Sequence, residues 1–268
     1  MTSVLCIPHG WPPPVSVRYG SPEWPFFADA HVDLAWGLLA QSSGWPDPLI
    51  LTGPSGVGKS LFARSLVRQH RSSLVSGVPD IPVRLATGND FKRGLHQALD
   101  TQTLPQWRSE WSQLEWVVID PLDQLLDDAL AQRTLETLLD DWLNDGTKVI
   151  LTMSAVPARL VGMTRRLASR CSVGQHVALH TPGPAARTWL ARFFLRERAL
   201  PDDGAHVRFL LEQWESSLEP VPVVRGWVTE LAARVSGWDA SMLASTLAEI
   251  MEGGVAREPT IDQIARLV

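Results

Sequence analysis

Residues 49–63 constrain the fold of this chain more than any other stretch. Apolar and β-branched residues predict a short strand, a glycine-rich turn follows, and an amphipathic helix is expected to begin at Lys59. The turn fits the pattern G-x-x-x-x-G-K-[ST] without a gap. In such a loop, backbone N–H groups at the start of the helix surround a phosphate. The segment therefore predicts a phosphate-binding loop.

The positions of this loop predict how a nucleotide would be bound. Lys59 is expected to reach the β- and γ-phosphates, and the Ser60 hydroxyl is expected to ligate Mg²⁺. A glycine turn without a ligand is the alternative interpretation. The residues predicted to contact bound ATP or ADP are Gly53, Ser55, Gly56, Val57, Gly58, Lys59, Ser60 and Leu61.

The composition is that of a globular chain of 268 residues with a net charge of -5. The negative charge argues against a protein that coats nucleic acid by bulk electrostatics, although a local basic patch remains open. No apolar run approaches the roughly 18 residues of a membrane span. The N-terminus does not resemble a secretory signal, and two cysteines are too few for a disulfide framework or a zinc site. We therefore predict a cytoplasmic protein without membrane contact.

A second predicted strand ends in an acid. The apolar residues 116–119 are followed directly by Asp120. In a chain with a phosphate loop, a buried parallel strand of this kind delivers a carboxylate to Mg²⁺. A strand followed by a capping aspartate is the alternative. We predict that Ser60 and Asp120 together hold the metal ion.

Composition and periodicity divide the chain into three parts. Residues 1–24 are rich in proline and glycine and predict a flexible N-terminal arm. Residues 25–181 alternate strands with helices, which predicts a parallel α/β nucleotide-binding domain, and residues 182–268 predict a small all-α domain. Within these parts, helical periodicity predicts one helix over residues 26–40 and a long one over residues 122–141.

Several stretches beyond the loop resemble one branch of the AAA+ ATPases, the ATPase domain of the bacterial replication initiator DnaA and its short paralogue Hda. The similar stretches are residues 90–99, 107–111, 114–120, 149–154, 165–170 (RRLASR), 177–182, 223–227 (VVRGW) and 259–262. Their order and spacing match the branch over residues 25–268. The resemblance implies an AAA+ P-loop parallel sheet flanked by helices, followed by a helical lid domain.

The resemblance also implies roles for four side chains. Arg170 corresponds to the arginine finger that reaches the γ-phosphate held by a neighbouring subunit, and Arg166 is a second arginine of the same box. Arg225 corresponds to the sensor 2 arginine, which contacts the same phosphate from within the chain. Ser154 occupies the sensor 1 position. Guanidinium groups suit a spread phosphate charge, although solvated surface arginines are the alternative for Arg170 and Arg225.

The chain departs from the family pattern at three points. The acid that follows Asp120 in the family orients the attacking water, and here Pro121 has no carboxylate. We therefore expect at most a weak ATPase, unless Asp123 substitutes for that acid. Sensor 1 is typically acidic or an amide, whereas Ser154 is neutral. The DNA-binding domain that follows the lid in DnaA is missing, so recognition of duplex DNA is not expected.

The first functional hypothesis is an Hda-like regulator of replication initiation. It would bind ATP or ADP and present Arg170 to the nucleotide of an AAA+ partner such as DnaA, or of a second copy of itself. Hda-type proteins bind the sliding clamp through an N-terminal peptide. Leu5, Ile7 and Pro8 keep part of the spacing of that peptide, which makes clamp binding an open possibility.

The second hypothesis is an ATP-gated loader or scaffold similar to DnaC and IstB. In such a protein, Lys92, Arg93 and Arg108 would form a patch that binds single-stranded DNA. A third possibility is a family member that keeps the fold as an interaction module and no longer binds nucleotide.

Overall fold

In a computed structural model, residues 16–21, 24–28, 48–72, 82–234 and 240–253 are described. For residues 16–21, 24–28, 68–72 and 240–244, only the backbone is described. The predicted clamp-binding residues Leu5, Ile7 and Pro8 lie outside this part of the chain. Most of the predicted helix over residues 26–40 also lies outside it. The described residues form two compact units, which divide between His180 and Thr181.

The first unit contains the strands and the helices that flank them. In chain order its elements are β1 (Ser16–Ser21), β2 (Trp24–Ala28), β3 (Leu49–Thr52), α1 (Lys59–Ser72), β4 (Val83–Ala86), α2 (Gly88–Asp100), α3 (Leu104–Ser112), β5 (Trp116–Ile119), a 3-10 turn (Leu122–Leu125), α4 (Ala129–Asp145), β6 (Lys148–Met153), a second 3-10 turn (Pro157–Arg159), α5 (Arg165–Val173) and β7 (Gln175–Ala178).

Five of these strands form a parallel sheet in the order β4-β5-β6-β3-β7. Helices cover both faces, so successive side chains of one strand enter two different cores. On β5, Val117 packs in the core that contains Trp142, whereas Val118 packs in the core that contains Phe62. Burial on both faces explains the uninterrupted apolar sequence of this strand. The predicted α/β class, a parallel sheet flanked by helices, is confirmed.

The register of the sheet brings three predicted site residues to one edge. Thr52 at the end of β3 lies opposite Met153 on β6, and Ile119 at the end of β5 lies opposite Leu151. The residues that follow these strands therefore leave the sheet at the same edge. They are Gly53, Asp120 and Ser154.

The second unit is helical in its described residues. Its helices are α6 (Pro184–Glu197), α7 (Gly204–Ser217), α8 (Val221–Arg234) and α9 (Ala240–Gly253). They share a core that includes the indoles of Trp214 and Trp227. Among the helices described in both units, none has the length and apolar character needed to cross a membrane.

Residues 16–21 and 24–28 differ from the prediction. β1 and β2 pair as antiparallel strands, with Val17 opposite Phe27 and Tyr19 opposite Pro25. Residues 16–21 are therefore a strand and not irregular chain, and the helix predicted from residue 26 is wrong for its first three residues. Valine, tyrosine and phenylalanine favour strands, and in residues 26–28 this preference outweighs the helical periodicity.

The long helix predicted over residues 122–141 also begins later than expected. Leu122–Leu125 is a 3-10 turn whose leucines are buried, and α4 begins only at Ala129. The Asp128 carboxylate starts the helix, because it accepts the N–H groups of Leu130 at 3.0 Å and Ala131 at 2.9 Å. An apolar turn followed by an aspartate cap imitates helical periodicity in the sequence.

Candidate nucleotide-binding site

The phosphate loop is shaped by glycine. Gly53 has a φ of +146°, and a Cβ atom at this position would lie 2.1 Å from the Leu179 carbonyl oxygen. Gly56 and Gly58 also have positive φ, at 78° and 99°. These conformations are accessible to glycine and strained for other residues. The backbone N–H of Gly53 donates to the Met153 carbonyl at 3.2 Å, which fixes the start of the loop to β6.

The loop offers backbone donors at the start of α1. The N–H groups of Gly56, Val57 and Gly58 donate to no acceptor among the described residues. The helix begins directly afterwards, at Lys59. Consecutive N–H groups at a helix N-terminus provide both hydrogen bonds and a favourable dipole for an anion. The loop therefore fits a phosphate group.

The Lys59 side chain folds back over this loop. Its Nζ atom donates to the carbonyl oxygens of Gly53 and Pro54, both at 2.7 Å. Partial burial lowers the pKa of Lys59, while the nearby carboxylates of Asp120 and Asp123 act in the opposite direction. Two acids are thus close enough to influence this ammonium. A bound phosphate would offer it anionic oxygens in place of the two neutral carbonyls.

Asp120 is held rigidly at the sheet edge. Its N–H donates to the Ala86 carbonyl at 2.9 Å, and its Oδ1 atom accepts the Thr152 hydroxyl at 2.5 Å. The second carboxylate oxygen has no hydrogen-bond donor among the described residues. No group of three or more His, Cys, Asp or Glu side chains in that part of the chain could hold a metal ion alone. Mg²⁺ at this edge would take Ser60 and Asp120 together with phosphate oxygens.

Ser154 lies at the same edge and is bound to Asp123. The Ser154 N–H donates to both oxygens of the Asp123 carboxylate, at 3.0 and 3.2 Å, and the Ser154 hydroxyl also donates to it. The 3-10 turn after Pro121 brings Asp123 to this place. The acid that the sequence offered as a possible substitute is therefore near the loop, but its oxygens already accept hydrogen bonds from Ser154.

The three arginines lie elsewhere in the fold. Arg166 and Arg170 are on α5, where both contact the Asp140 carboxylate of α4. Arg225 is on α8 in the helical unit and is only 8% exposed. Its Nη2 and Nε atoms donate to the two carboxylate oxygens of Glu197 at 2.7 and 3.2 Å. The structure thus gives each predicted phosphate-binding arginine a carboxylate partner within its own unit.

Two site residues were missed by sequence analysis. Thr152 orients Asp120 across the sheet, and Asp140 binds Arg170 between helices. A threonine directly after the apolar residues 149–151 of strand β6 is a weak signal for the first residue, because a buried hydroxyl needs a partner. The sequence has no comparable signal for Asp140, which is one of several acids along α4.

Comparisons with known proteins agree with this geometry. The family profile of the bacterial DnaA ATPase domain matches residues 32–178. The chromosomal replication initiator protein DnaA of Neisseria meningitidis is 28% identical over 145 residues, which cover 54% of this chain and 27% of that protein. The chain thus spans well under half the length of this curated relative.

Solved structures share the fold. Domain III of the Thermotoga maritima replication initiation protein DnaA aligns with a TM-score of 0.74 at 19% identity, covering 87% of this chain and 95% of that one. A replication initiator DnaA bound to AMPPCP and single-stranded DNA aligns with a TM-score of 0.61 at 15% identity, covering 83% and 85%. The resemblance seen in the sequence is confirmed. Because the family profile covers more than half of its residues, this chain belongs to the bacterial DnaA ATPase domain family of AAA+ proteins.

Proposed function

We propose that this chain is a cytoplasmic, Hda-like regulator of replication initiation. It binds ATP or ADP with Mg²⁺ at the phosphate loop and presents Arg170 to the nucleotide of another AAA+ subunit, either DnaA or a second copy of itself. One observation supports this proposal above all others. The sheet edge keeps the phosphate loop and Asp120 while Pro121 replaces the acid that normally follows.

Slow hydrolysis follows from this edge. A general base must lie within hydrogen-bond reach of the attacking water and must have a free lone pair. Pro121 offers no such group, and the Asp123 carboxylate is turned towards Ser154, which donates both its N–H and its hydroxyl to it. Nucleotide binding and nucleotide turnover are therefore separated in this chain. A subunit of this kind is suited to sensing a nucleotide and acting on a partner.

The position of Arg170 supports action on a partner. Its side chain is 44% exposed on α5 and reaches the surface of the unit. A guanidinium that contacts the γ-phosphate of a neighbouring subunit stabilises the charge that spreads over the phosphate oxygens in the transition state. Within the chain, we propose that Arg225 exchanges Glu197 for the bound phosphate, because both anions offer paired oxygens to its planar fork.

The test is hydrolysis of ATP by purified DnaA from the same cell, measured with and without this protein. Arg170→Ala is expected to abolish the stimulation of DnaA. The affinity of the variant itself for ATP, measured by calorimetry, should stay unchanged. Arg165→Ala is the matched control, because it removes an exposed arginine from the same helix that has no ion pair among the described residues. Stimulation that survives Arg170→Ala would reject the proposal. Lys59→Ala should instead lower ATP affinity about 100-fold or more.

The DnaC- and IstB-like loader remains a second candidate, since one structural neighbour is a DnaA bound to single-stranded DNA. The contacts of the predicted basic patch favour it less. Lys92 donates to Asp127 at 2.8 Å, and Arg93 is paired with Asp90. Arg108 is exposed on α3. Salt-dependent binding of a labelled oligo-dT that weakens in Lys92→Ala and Arg108→Ala would support the loader.

A further inference from the structure

A line of polar side chains on α4 faces α5, which contains Arg166 and Arg170 and is called the arginine helix below. Gln132, Glu136 and Asp140 recur every four residues, which places them on one side of α4. All three make contacts with α5 or with the residues just before it. We call these three residues the polar stripe. Their contacts run from the residues just before α5 to Arg170.

The first two members of the polar stripe fix the start of α5. The Gln132 side-chain carbonyl accepts the Thr164 N–H at 2.7 Å, and its amide nitrogen donates to the Gly162 carbonyl at 2.9 Å. Thr164 caps α5, because its hydroxyl oxygen accepts the Leu167 N–H at 3.3 Å. The same hydroxyl donates to the Glu136 carboxylate. Gln132 and Glu136 are almost fully buried, so these bonds are shielded from solvent.

The third member, Asp140, binds Arg170 itself. The Nε atom of Arg170 lies 2.8 Å from Oδ1 of Asp140, and its Nη2 atom lies 3.0 Å from Oδ2. One hydrogen bond from Nη2 and a close ion-pair contact at Nε hold the guanidinium beside this carboxylate. Arg166 contacts the same carboxylate less closely, at 3.4 Å.

The geometry leaves most of the Arg170 donors available. A guanidinium has five N–H groups; one on Nη2 donates to Asp140, and Nε lies in ion-pair contact with the same carboxylate. Both N–H groups of Nη1 and the second one of Nη2 remain. They have no acceptor among the described residues. Asp140 therefore holds one edge of the guanidinium while the opposite edge stays free to bind an anion.

We propose that Asp140 is a positioning residue for Arg170, which it holds ready for a phosphate on a neighbouring subunit. The role rests on the proposed function of Arg170. A flexible arginine would lose its rotamer freedom only on docking, which weakens the interaction that it makes. An arginine that is already ordered avoids this loss. From the usual cost of ordering one long side chain, we expect an advantage of about threefold to tenfold.

The experiment compares Asp140→Asn with Asp141→Asn in the assay of DnaA-bound ATP hydrolysis. Asp141 is exposed on the same helix and has no contact partner among the described residues, so it controls for the change of charge. Asp140→Asn should lower the stimulation about threefold to tenfold, and Asp141→Asn should not.

The outcomes separate this inference from the function on which it rests. Suppose that Arg170→Ala abolishes stimulation but Asp140→Asn stimulates hydrolysis as well as the unmodified protein or better. Asp140 then does not position Arg170, and this inference is overturned while the proposed function stands. If Arg170→Ala has no effect, the proposed function fails and this role fails with it. An equal loss from Asp140→Asn and Asp141→Asn would point to charge alone and would also overturn it.

A second measurement needs no partner protein. In a ¹⁵N–¹H NMR spectrum of the arginine Nε groups, the Arg170 signal is identified by its loss in Arg170→Lys. Asp140→Asn should shift this signal and sharpen it towards that of a mobile side chain, while Asp141→Asn should leave it in place. A signal that Asp140→Asn does not move would overturn the positioning role.

Discussion

The phosphate loop and the arginine helix α5 are built in opposite ways. The loop takes its shape from its own backbone, through the positive φ of Gly53, Gly56 and Gly58. The helix α5 takes its place from side chains of another element, since Thr164 binds a glutamine that precedes it by 32 residues. The loop is therefore specified locally and α5 at long range. Substitutions in the two regions should fail in different ways.

The largest effect is expected in the loop, from Gly53→Ala. The new Cβ atom would lie 2.1 Å from the Leu179 carbonyl oxygen, so loop and strand cannot both stay in place. We expect the free energy of unfolding to fall by about 3 kcal/mol and ATP binding to be lost. Urea denaturation and calorimetric titration with ATP measure the two quantities.

Gly146→Ala is the control for this change. Gly146 also has a positive φ, of 75°, but a Cβ atom there meets no atom within 4 Å. It should cost only about 1 kcal/mol and leave ATP binding intact. Equal losses in the two variants would show that backbone strain, and not the contact with Leu179, requires glycine at residue 53.

The next largest effect on stability is expected from Gln132→Leu, on the α4 residue that fixes the start of the arginine helix. This change leaves the Thr164 N–H and the Gly162 carbonyl without their partner inside the protein. The free energy of unfolding should fall by about 2 kcal/mol while ATP affinity is unchanged. Lys59→Ala, in contrast, should lower ATP affinity. Gln97→Leu, an exposed position on α2, is the matched control and should be nearly neutral. A loss of ATP affinity in Gln132→Leu would break the distinction between the two regions.

Cys171, on the buried side of α5, tests how tightly this helix is packed. Burial raises the pKa of its thiol to about 12, from a model-peptide value of 9.0. Because the folded state favours the protonated thiol, stability should fall as the pH rises above 9. From pH 8 to pH 10 the loss should exceed that of Cys171→Ala by about 1.4 kcal/mol. Parallel pH profiles of the two proteins would mean that α5 opens readily.

The smallest effect separates two neighbouring arginines of α5. Arg166 contacts Glu136 at 3.8 Å and Asp140 at 3.4 Å, but it is largely exposed. Arg166→Ala should therefore cost only about 0.5 kcal/mol, and 1 M NaCl should reduce the cost further. Arg165→Ala should be neutral in the same denaturation assay. A larger cost for Arg165→Ala would contradict the contacts described for α5.

Much of the nucleotide site could be predicted from the sequence, because its determinants are local. A glycine pattern specifies the loop, and apolar runs that end at Asp120 and Ser154 specify strands whose ends meet at one edge. The start of α4 was missed, because the buried turn before the Asp128 cap continues the apolar periodicity. The pairing of β1 with β2 could not be predicted, because proline and glycine within residues 1–24 indicate irregular chain and the periodicity from residue 26 indicates a helix.

The partners of the arginines could not be predicted in the same way. Asp140 lies 30 residues before Arg170 in the sequence. The two side chains meet only because α4 and α5 pack side by side. The same holds for Glu197, which binds Arg225 from a different helix. Contacts between helices depend on the complete fold, whereas the conformation of the phosphate loop is determined largely by its own glycines.

Gln132 links the start of α5 to the turn that holds Asp123. Besides its bonds near Thr164, its amide nitrogen donates to the carbonyls of Leu125 at 3.1 Å and Leu126 at 3.2 Å, at the end of the turn that holds Asp123. One buried amide therefore holds both the start of α5 and the end of this turn. Movement of the start of α5 away from the turn would leave a buried polar group without its partners, which carries a cost in free energy.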